Sequence, residues 1–264
     1  RDDSESRGLG DVYKRQLQSA SGCVNDYSTS DTYGDTCLWY DSNSGGCGSF
    51  DDADFTASAQ CCACGGGLVG STTPAQTGTF TFTGGDPGEG LDFTGDFVYA
   101  VDISGPGGVT IGDAVFTSDG TTPGFSVSAQ YYDTTWYSRP GFGSSPNDDG
   151  LELLMHSIRY SYPPTPVTVT MEVEQGTYYR LQLLFYEQCC YRGFDVLVDG
   201  MRIVDEFSPQ IEQGGPTGSS RPGAAIYHEF VATSSTTTVT LDGISASFSD
   251  TNPILNAVTL ERIC

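Results

Sequence analysis

The amino-acid sequence predicts an all-β protein, with an antiparallel β-sandwich or barrel preceded by a small disulfide-rich module. Three observations favour this fold class. From residue 79 onward, apolar and polar residues alternate with a period of two, which is typical of half-buried strands. Short connections rich in Gly, Pro, Asp and Ser separate these stretches. Six of the nine cysteines crowd into residues 23–64, where aliphatic side chains are few.

The first sixteen residues, RDDSESRGLGDVYKRQ, are set aside because GDVYKRQ resembles a translated sequencing adapter. They include Lys14, the only lysine of the chain. They carry four basic and four acidic side chains, so the net charge is −23 with or without them. A chain this acidic repels nucleic acid and anionic membrane surfaces. No stretch approaches the roughly 20 apolar residues of a membrane span, so we expect no membrane insertion by this chain.

Residues 17–67 are the predicted disulfide module, and its cysteines are Cys23, Cys37, Cys47, Cys61, Cys62 and Cys64. A segment this polar buries too little apolar surface to offset the entropy lost when the chain is ordered. We therefore expect three disulfide bonds, with their connectivity left open. A zinc site is the alternative. Zinc sites usually include His, which this segment lacks, and favour reducing compartments. Disulfides imply a secreted or cell-surface protein. We expect no bound metal and no cofactor.

A linker over residues 68–78 leads into the predicted sandwich, residues 79–264. Its candidate strands are 79–83, 96–103, 109–116, 125–132, 151–159, 167–173, 178–186, 194–200, 201–207, 226–232, 236–243 and 254–262. The segment VTVTMEV shows the pattern most clearly, because Val167, Val169, Met171 and Val173 would face the core while the threonines and Glu172 face water. About 185 residues are a reasonable size for one such domain.

Several blocks follow one another along residues 95–264, in the order FVYAVDISGPGGVTIGDAVFTSD, LMHSIRYS, TYYRLQLLFYE, RGFDVLVDGMRIVDEF and SDTNPILNAVTLERI. These blocks in this order resemble the malectin and malectin-like carbohydrate-binding domains. The resemblance implies a jelly-roll sandwich of the galactose-binding type. It also implies a sugar site on the loops at one end, where aromatic rings and carboxylates hold the ligand. We expect the chain to be part of a longer, multidomain protein.

The resemblance implies which residues contact the sugar. Tyr160 follows Arg159 in the Arg-Tyr block and matches a sugar-stacking position. Tyr191 lies where malectin carries two adjacent aromatic residues, although this loop is shorter. Asp250 precedes Asn252-Pro253, with Thr251 as an extra residue relative to malectin. A further aromatic contact comes from the segment that contains Tyr131, Tyr132 and Trp136, among which the sequence does not choose. Each candidate could instead have a purely structural role at a turn or a sheet end.

Arg159 and Glu187 end neighbouring strands in this pattern, and we expect them either to pair with each other or to contact the sugar. The loop after Glu187 contains the adjacent residues Cys189 and Cys190. Their Cα atoms are about 3.8 Å apart, below the usual disulfide range, so a bond between them would strain the backbone, as occurs at binding sites. The alternatives are two free thiols or one bridge to Cys264. With the vicinal bridge, Cys264 would pair outside this sequence.

We therefore expect a carbohydrate-binding, lectin-like module for neutral glycans, with a glycan or a glycoprotein as its partner. One alternative is a structural or adhesive module that binds proteins, and a second is an accessory or catalytic domain of a glycoside hydrolase. Motifs of nucleophilic, zinc-dependent and nucleotide-dependent enzymes are missing from the sequence. The two histidines, His156 and His228, lie within strand patterns and are expected to be ordinary sheet residues. We expect no catalytic residue and no enzymatic activity.

Overall fold

The computed structural model describes residues 29–65, 76–136, 138–215, 221–244 and 248–263. The segment resembling an adapter, Cys23 and Cys264 lie outside the described residues, as does the side chain of Cys62. The chain divides between Pro74 and Ala75 into two compact units, which are described separately.

The first unit is built on short helical turns and disulfides. It contains α1 (Cys37–Tyr40), α2 (Ala57–Gln60) and 3-10 turns at Ser44–Gly46 and Cys62–Cys64. Disulfides join Cys37 to Cys61 and Cys47 to Cys64, which confirms the prediction of a disulfide-rich module. The buried Tyr40 ring stacks on Phe55, and its hydroxyl donates to Asp31 at 2.7 Å. This small core needs the covalent bridges because it contains so few aliphatic side chains.

The second unit is the predicted β-sandwich. Its strands are β1 (Thr77–Phe82), β2 (Asp96–Asp102), β3 (Val109–Ile111), β4 (Ala114–Ser118), β5 (Phe125–Ser128), β6 (Tyr131–Asp133), β7 (Ile158–Tyr160), β8 (Val167–Glu172), β9 (Tyr178–Phe185), β10 (Phe194–Val198), β11 (Met201–Phe207), β12 (Gly223–Val231), β13 (Thr236–Asp242), β14 (Ile254–Leu255) and β15 (Ala257–Arg262). Two further helices are α3 (Pro146–Leu154) and α4 (Pro209–Glu212).

Three sheets organise these strands. The large sheet has the order β1-β12-β9-β15-β2-β4-β3, the second sheet β11-β10-β13-β8-β5, and a small third sheet β14-β7-β6. The described strand pairs are antiparallel except for β2 with β4. The main core lies between the two larger sheets and contains Val167, Val169 and Met171 of β8, which are fully buried as their alternation predicts.

A second apolar cluster covers part of the outer face of the large sheet. There Leu151 and Leu154 of α3 lie with Leu184 and Tyr186, among other side chains. The prediction of a strand over residues 151–159 is wrong in its first part, which belongs to α3. A capping box begins this helix: Ser145 accepts from the backbone N–H of Asp148, whose carboxylate accepts in return from the N–H of Ser145.

Three other predicted strands are each divided in two. Residues 109–116 form a hairpin because Gly112, with φ of +55°, turns the chain between β3 and β4. Residues 125–132 divide into β5 and β6, which lie in different sheets. Residues 254–262 divide at Asn256, which is fully buried. Its side-chain amide donates to the carbonyls of Met155 and Ser157 and accepts from the N–H of Tyr186, so it pairs three backbone groups beside the break.

Candidate functional site

The loop between β9 and β10 is organised by Glu187. This carboxylate is buried, and its Oε1 accepts the backbone N–H groups of Cys189 and Cys190 at 2.8 and 3.1 Å. A disulfide joins Cys189 to Cys190, so the vicinal bridge considered from the sequence is present. The carboxylate and the bridge together hold a compact turn at the end of the sandwich.

Arg192 is the charged centre of this end of the molecule. It is buried and forms an ion pair with Glu187. Its Nη2 lies 3.7 Å from Oδ2 of Asp250, and its Nη1 donates to the carbonyl of Asn252 at 3.2 Å. Burial raises the pKa of Glu187, while Arg192 and the N–H groups of the two cysteines act in the opposite direction. The guanidinium is thus held in one orientation by groups from two loops.

The loop that precedes β14 lies directly beside the loop that contains Arg192. The N–H of Gly193 donates to the carbonyl of Asp250 at 3.0 Å, and the exposed Tyr191 ring lies 5.3 Å from that of Phe248. Gly193 is required by this close approach, because a Cβ there would come within 2.0 Å of the Phe248 ring. Residues nearly 60 positions apart in the chain are therefore neighbours in space.

An aromatic cluster adjoins the guanidinium of Arg192. The Trp136 ring lies 5.7 Å from it, and the Tyr160 ring lies 6.4 Å from Trp136. Tyr131 stacks on Tyr160 at 5.2 Å, and Tyr162 contacts both tyrosine rings edge-on. Tyr131 and Tyr162 are 46% and 48% exposed, whereas Tyr160 is half-buried. The solvent-facing aromatic surface of this cluster therefore belongs mainly to Tyr131 and Tyr162. Burial raises the pKa of the Tyr160 hydroxyl.

The candidate residues taken from the sequence thus come together, with the exceptions of Arg159 and Tyr132. Contacts connect Tyr160 and Trp136, through Arg192, to Glu187, Cys189 and Asp250, and Cys190 and Tyr191 belong to the same loop. Arg159 and Tyr132 contact each other instead. The expected pairing of Arg159 with Glu187 is wrong, because Arg159 Nε bonds to Asp119 at 2.9 Å and its guanidinium lies over Tyr132.

Sequence reasoning missed Arg192, Tyr162 and Gln213. Gln213, which follows α4, accepts the backbone N–H of Glu187 through its Oε1. Arg192 could have been noticed, because arginine is scarce in this chain and this one lies between two adjacent cysteines and a strand that begins with Phe194. Gln213 offered no such signal, since it becomes a neighbour only through folding.

Two groups of potential metal ligands occur among the described residues. One is Glu187, Cys189 and Cys190, whose sulfurs are joined in the disulfide and so offer no thiolate. The other is Asp86, Glu89 and Asp148. The Asp148 carboxylate accepts the backbone N–H groups of Gly85 and Ser145, that of Glu89 accepts the N–H of Asp86, and that of Asp86 accepts from the side-chain amide of Asn147, so these interactions account for their proximity. Of the two histidines, His228 is buried with Nδ1 2.7 Å from the Thr77 hydroxyl, and burial lowers its pKa, while His156 is half-buried.

Comparison with solved structures shows a similarity of fold. A crystal structure of the plant receptor-like kinase ANX2 aligns with a TM-score of 0.50 and 12% identity, over 70% of this chain and 53% of that chain. The two share a fold. The ANX2 ectodomain from Arabidopsis thaliana gives 0.48 and 11% over 64% and 50% of the respective chains. A Bacteroides uniformis beta-glucuronidase 2 gives 0.47 and 13% over 63% and 18%. The last two scores are too low to support a conclusion.

The matched region spans about half or less of each of these solved chains. At such low identity the alignment with ANX2 concerns the fold alone. No protein-family model and no curated protein matches the sequence of this chain. Among the helices of the described residues, none has the length and apolar character needed to cross a membrane.

Proposed function

We propose that the β-sandwich is a malectin-like, carbohydrate-binding module that takes neutral glycans, including glucose-containing ones, at the loop end built around Arg192. The observation that carries this proposal is the contact of an aromatic cluster with a fixed ion-pair network. The Trp136 ring lies over the guanidinium of Arg192 and beside the Tyr160 ring, and Glu187 and Asp250 form ion pairs with the same guanidinium. Rings and paired polar groups side by side are what sugar recognition requires.

Each part of the site has a distinct role in this proposal. The exposed rings of Tyr131, Tyr162 and Tyr191 offer faces for the C–H groups of a sugar ring. Asp250, whose side chain is 24% exposed, accepts sugar hydroxyl groups. Arg192 and Glu187 are too buried to offer much surface, so they act as positioning residues that hold the Asp250 loop and the disulfide loop together. The disulfide between Cys189 and Cys190 keeps its loop in the binding conformation.

The charge of the molecule favours neutral ligands. The net charge of −23 and the carboxylates of Glu187 and Asp250 repel sulfated or uronic polymers. The disulfides support a location outside the cell or at its surface, where a glycan or a glycoprotein is the partner. We propose further that the module binds without hydrolysis, as part of a longer multidomain protein.

Calorimetric titration of the chain with maltotetraose, cellotetraose and laminaritetraose tests the proposal, with heparin as an anionic probe. We expect binding of at least one neutral glycan and none of heparin. Tyr160→Ala removes the ring at the centre of the cluster and should weaken binding by roughly 1 to 3 kcal/mol without unfolding the sandwich. Met201→Ala is the control, because Met201 is exposed and lies at the opposite end of β10 and β11.

The outcomes separate the three functional classes. Release of shorter sugars during the titration would indicate a glycoside hydrolase. Binding of heparin with no response to neutral glycans, or equal affinity in the Tyr160→Ala and Met201→Ala variants, would contradict the proposed site. Absence of any glycan binding, together with capture of one defined protein that Tyr131→Ala abolishes, would favour an adhesive, protein-binding module.

A further inference from the structure

The outer face of the large sheet divides into an apolar half and a polar half. Along β9, the outward positions are Arg180, Gln182 and Leu184, and Leu184 belongs to the apolar cluster with α3. On β12 the outward residues are Ala225, Tyr227 and Glu229, and of these Ala225 belongs to the same apolar cluster. The helix therefore covers one half of this face, while the other half remains open.

A groove with a volume of about 490 Å³ occupies the open half. Its lining includes Phe80 and Tyr227, whose ring centroids are 6.1 Å apart, together with Arg180, Gln182, Glu229 and Asp92. Both rings are half-buried, so each keeps part of its surface toward the groove. This groove shares none of its lining residues with the loop-end site.

The polar floor of the groove is held in place before any ligand arrives. Arg180 Nε bonds to Glu229 at 3.0 Å, and its Nη1 lies 3.4 Å from Glu261 and 3.5 Å from Asp92. Gln182, which is 3% exposed, donates through Nε2 to Thr259 and to the carbonyl of Asp92. These contacts use Nε and Nη1 of Arg180 and Nε2 of Gln182. They leave Nη2 as a donor and Oε1 as an acceptor for a ligand.

We propose that this groove is a second saccharide-binding surface, which takes a neutral oligosaccharide along the face of the sheet. The backbone groups of β9 and β12 are paired within the sheet, so recognition must come from side chains. A fixed donor and a fixed acceptor beside two rings suit vicinal hydroxyl groups and a sugar C–H face. Three carboxylates around one guanidinium leave a net negative charge in the groove, which repels anionic ligands. The proposal shares only its ligand class with the loop-end site.

Nuclear magnetic resonance of the ¹⁵N-labelled full chain can follow both sites at once. Side-chain signals of Arg180 Nε and Gln182 Nε2 report on the groove, and Trp136 Nε1 reports on the loop end. Maltotetraose, cellotetraose and laminaritetraose are added separately, up to millimolar concentrations. We expect at least one of them to shift the Arg180 and Gln182 signals in a saturable manner.

Variants then test which ring carries the binding. Tyr227→Ala should weaken the groove affinity at least tenfold, while Tyr227→Phe, which keeps the ring, should retain most of it. Tyr131→Ala, a substitution in the aromatic cluster of the loop end, should leave the groove affinity unchanged. Thermal unfolding of each variant checks that the fold is kept.

Some outcomes would overturn the groove alone. If Trp136 shifts with a glycan while Arg180 and Gln182 do not, the groove proposal fails and the proposed function stands. If the groove signals shift but Tyr227→Ala binds as tightly as the parent, the groove is not the binding surface. Saturable shifts confined to Arg180 and Gln182 would support the groove and contradict the loop-end site. No shift at any of the three signals overturns both proposals.

Discussion

Arg192 holds two loops together through charge, so its removal should be costly. The substitution Arg192→Met leaves the carboxylate of Glu187 buried without its cation. We expect a loss of about 3 to 5 kcal/mol in the free energy of unfolding, as is typical of a broken buried ion pair. Denaturant titration measures this loss.

The matched control for this prediction is Arg262→Met. The ion pairs of Arg262 with Asp96 and Glu174 are exposed and screened by solvent, so we expect a much smaller loss than for Arg192→Met. The double variant Glu187→Leu, Arg192→Met should recover part of the lost stability because no buried charge remains. A stability unchanged by Arg192→Met would contradict the role given to this ion pair.

Asp102 should make the stability depend on pH. Burial raises its pKa from 3.8 to about 6, while the N–H of Gly107 and the hydroxyl of Ser157 act in the opposite direction by donating to the carboxylate. The folded state therefore binds the proton more tightly than the unfolded state, and the contribution of Asp102 to stability falls as the pH rises from about 4 to 6.

The variant Asp102→Asn has no such titration. Relative to that of the parent, its free energy of unfolding should increase by up to roughly 3 kcal/mol between pH 4 and pH 7.5, because only the parent loses stability over this range. Unfolding curves of both proteins at the two pH values provide the measurement, with Asp96→Asn as an exposed control. A difference between parent and variant that is the same at both pH values would refute this account.

At the scale of elements, the loop between β9 and β10 depends on a disulfide that should contribute little to global stability. A disulfide stabilises the folded state mainly by restricting the conformations of the unfolded chain. A disulfide between adjacent residues closes the shortest loop, so it restricts the unfolded chain least. We expect the double variant Cys189→Ser, Cys190→Ser to lose less than about 1 kcal/mol of sandwich stability. Amide exchange at these two residues should nevertheless become faster, because the loop is less constrained.

The double variant Cys37→Ser, Cys61→Ser provides the comparison. That bridge spans 24 residues in the cysteine-rich unit, so its loss should cost about 2 to 5 kcal/mol of that unit's stability. Protease resistance of the unit monitors this change. Global unfolding of the sandwich in the Cys189→Ser, Cys190→Ser protein would show that the vicinal bridge is a structural support after all.

The elements also show how far the sequence carries a structural prediction. Strict alternation identified β8 correctly because one face of that strand is buried and the other is not. The segment LELLM failed because its buried side chains, Leu151, Leu154 and Met155, follow helical spacing while the letters also fit a strand. The capping residues Ser145 and Asp148 lie before the segment, where the strand pattern gave no reason to look.

The proximity of the candidate site residues was predictable, and their individual contacts were less so. The order of blocks along the chain indicated that Tyr160, Asp250 and the cysteine loop meet at one end. It could not reveal that Arg192 connects them, because that contact depends on two loops that are nearly 60 residues apart in the chain. Arg159 was given the wrong partner for the same reason, since Asp119 reaches it only through the fold.

At the scale of the whole molecule, the charge of −23 should make stability depend on salt. Repulsion among so many carboxylates destabilises the compact state, and salt screens this repulsion over distances of about 10 Å. We expect the melting temperature to rise from low salt to several hundred millimolar NaCl. Choline chloride should act similarly if screening is the cause. A melting temperature that falls with both salts would indicate that the surface ion pairs outweigh the repulsion.

The position of β15 has a consequence for the synthesis of the protein on the ribosome. This strand, made from residues 257–262, lies in the middle of the large sheet, with β9 on one side and β2 on the other. A nascent chain that ends before residue 257 contains both neighbours but lacks the strand that joins them. The exposed edges of β2 and β9 must therefore remain unpaired, or be shielded by a chaperone, for most of the time that the sandwich is being translated. The large sheet can be completed only after β15, one of the last strands, has left the exit tunnel.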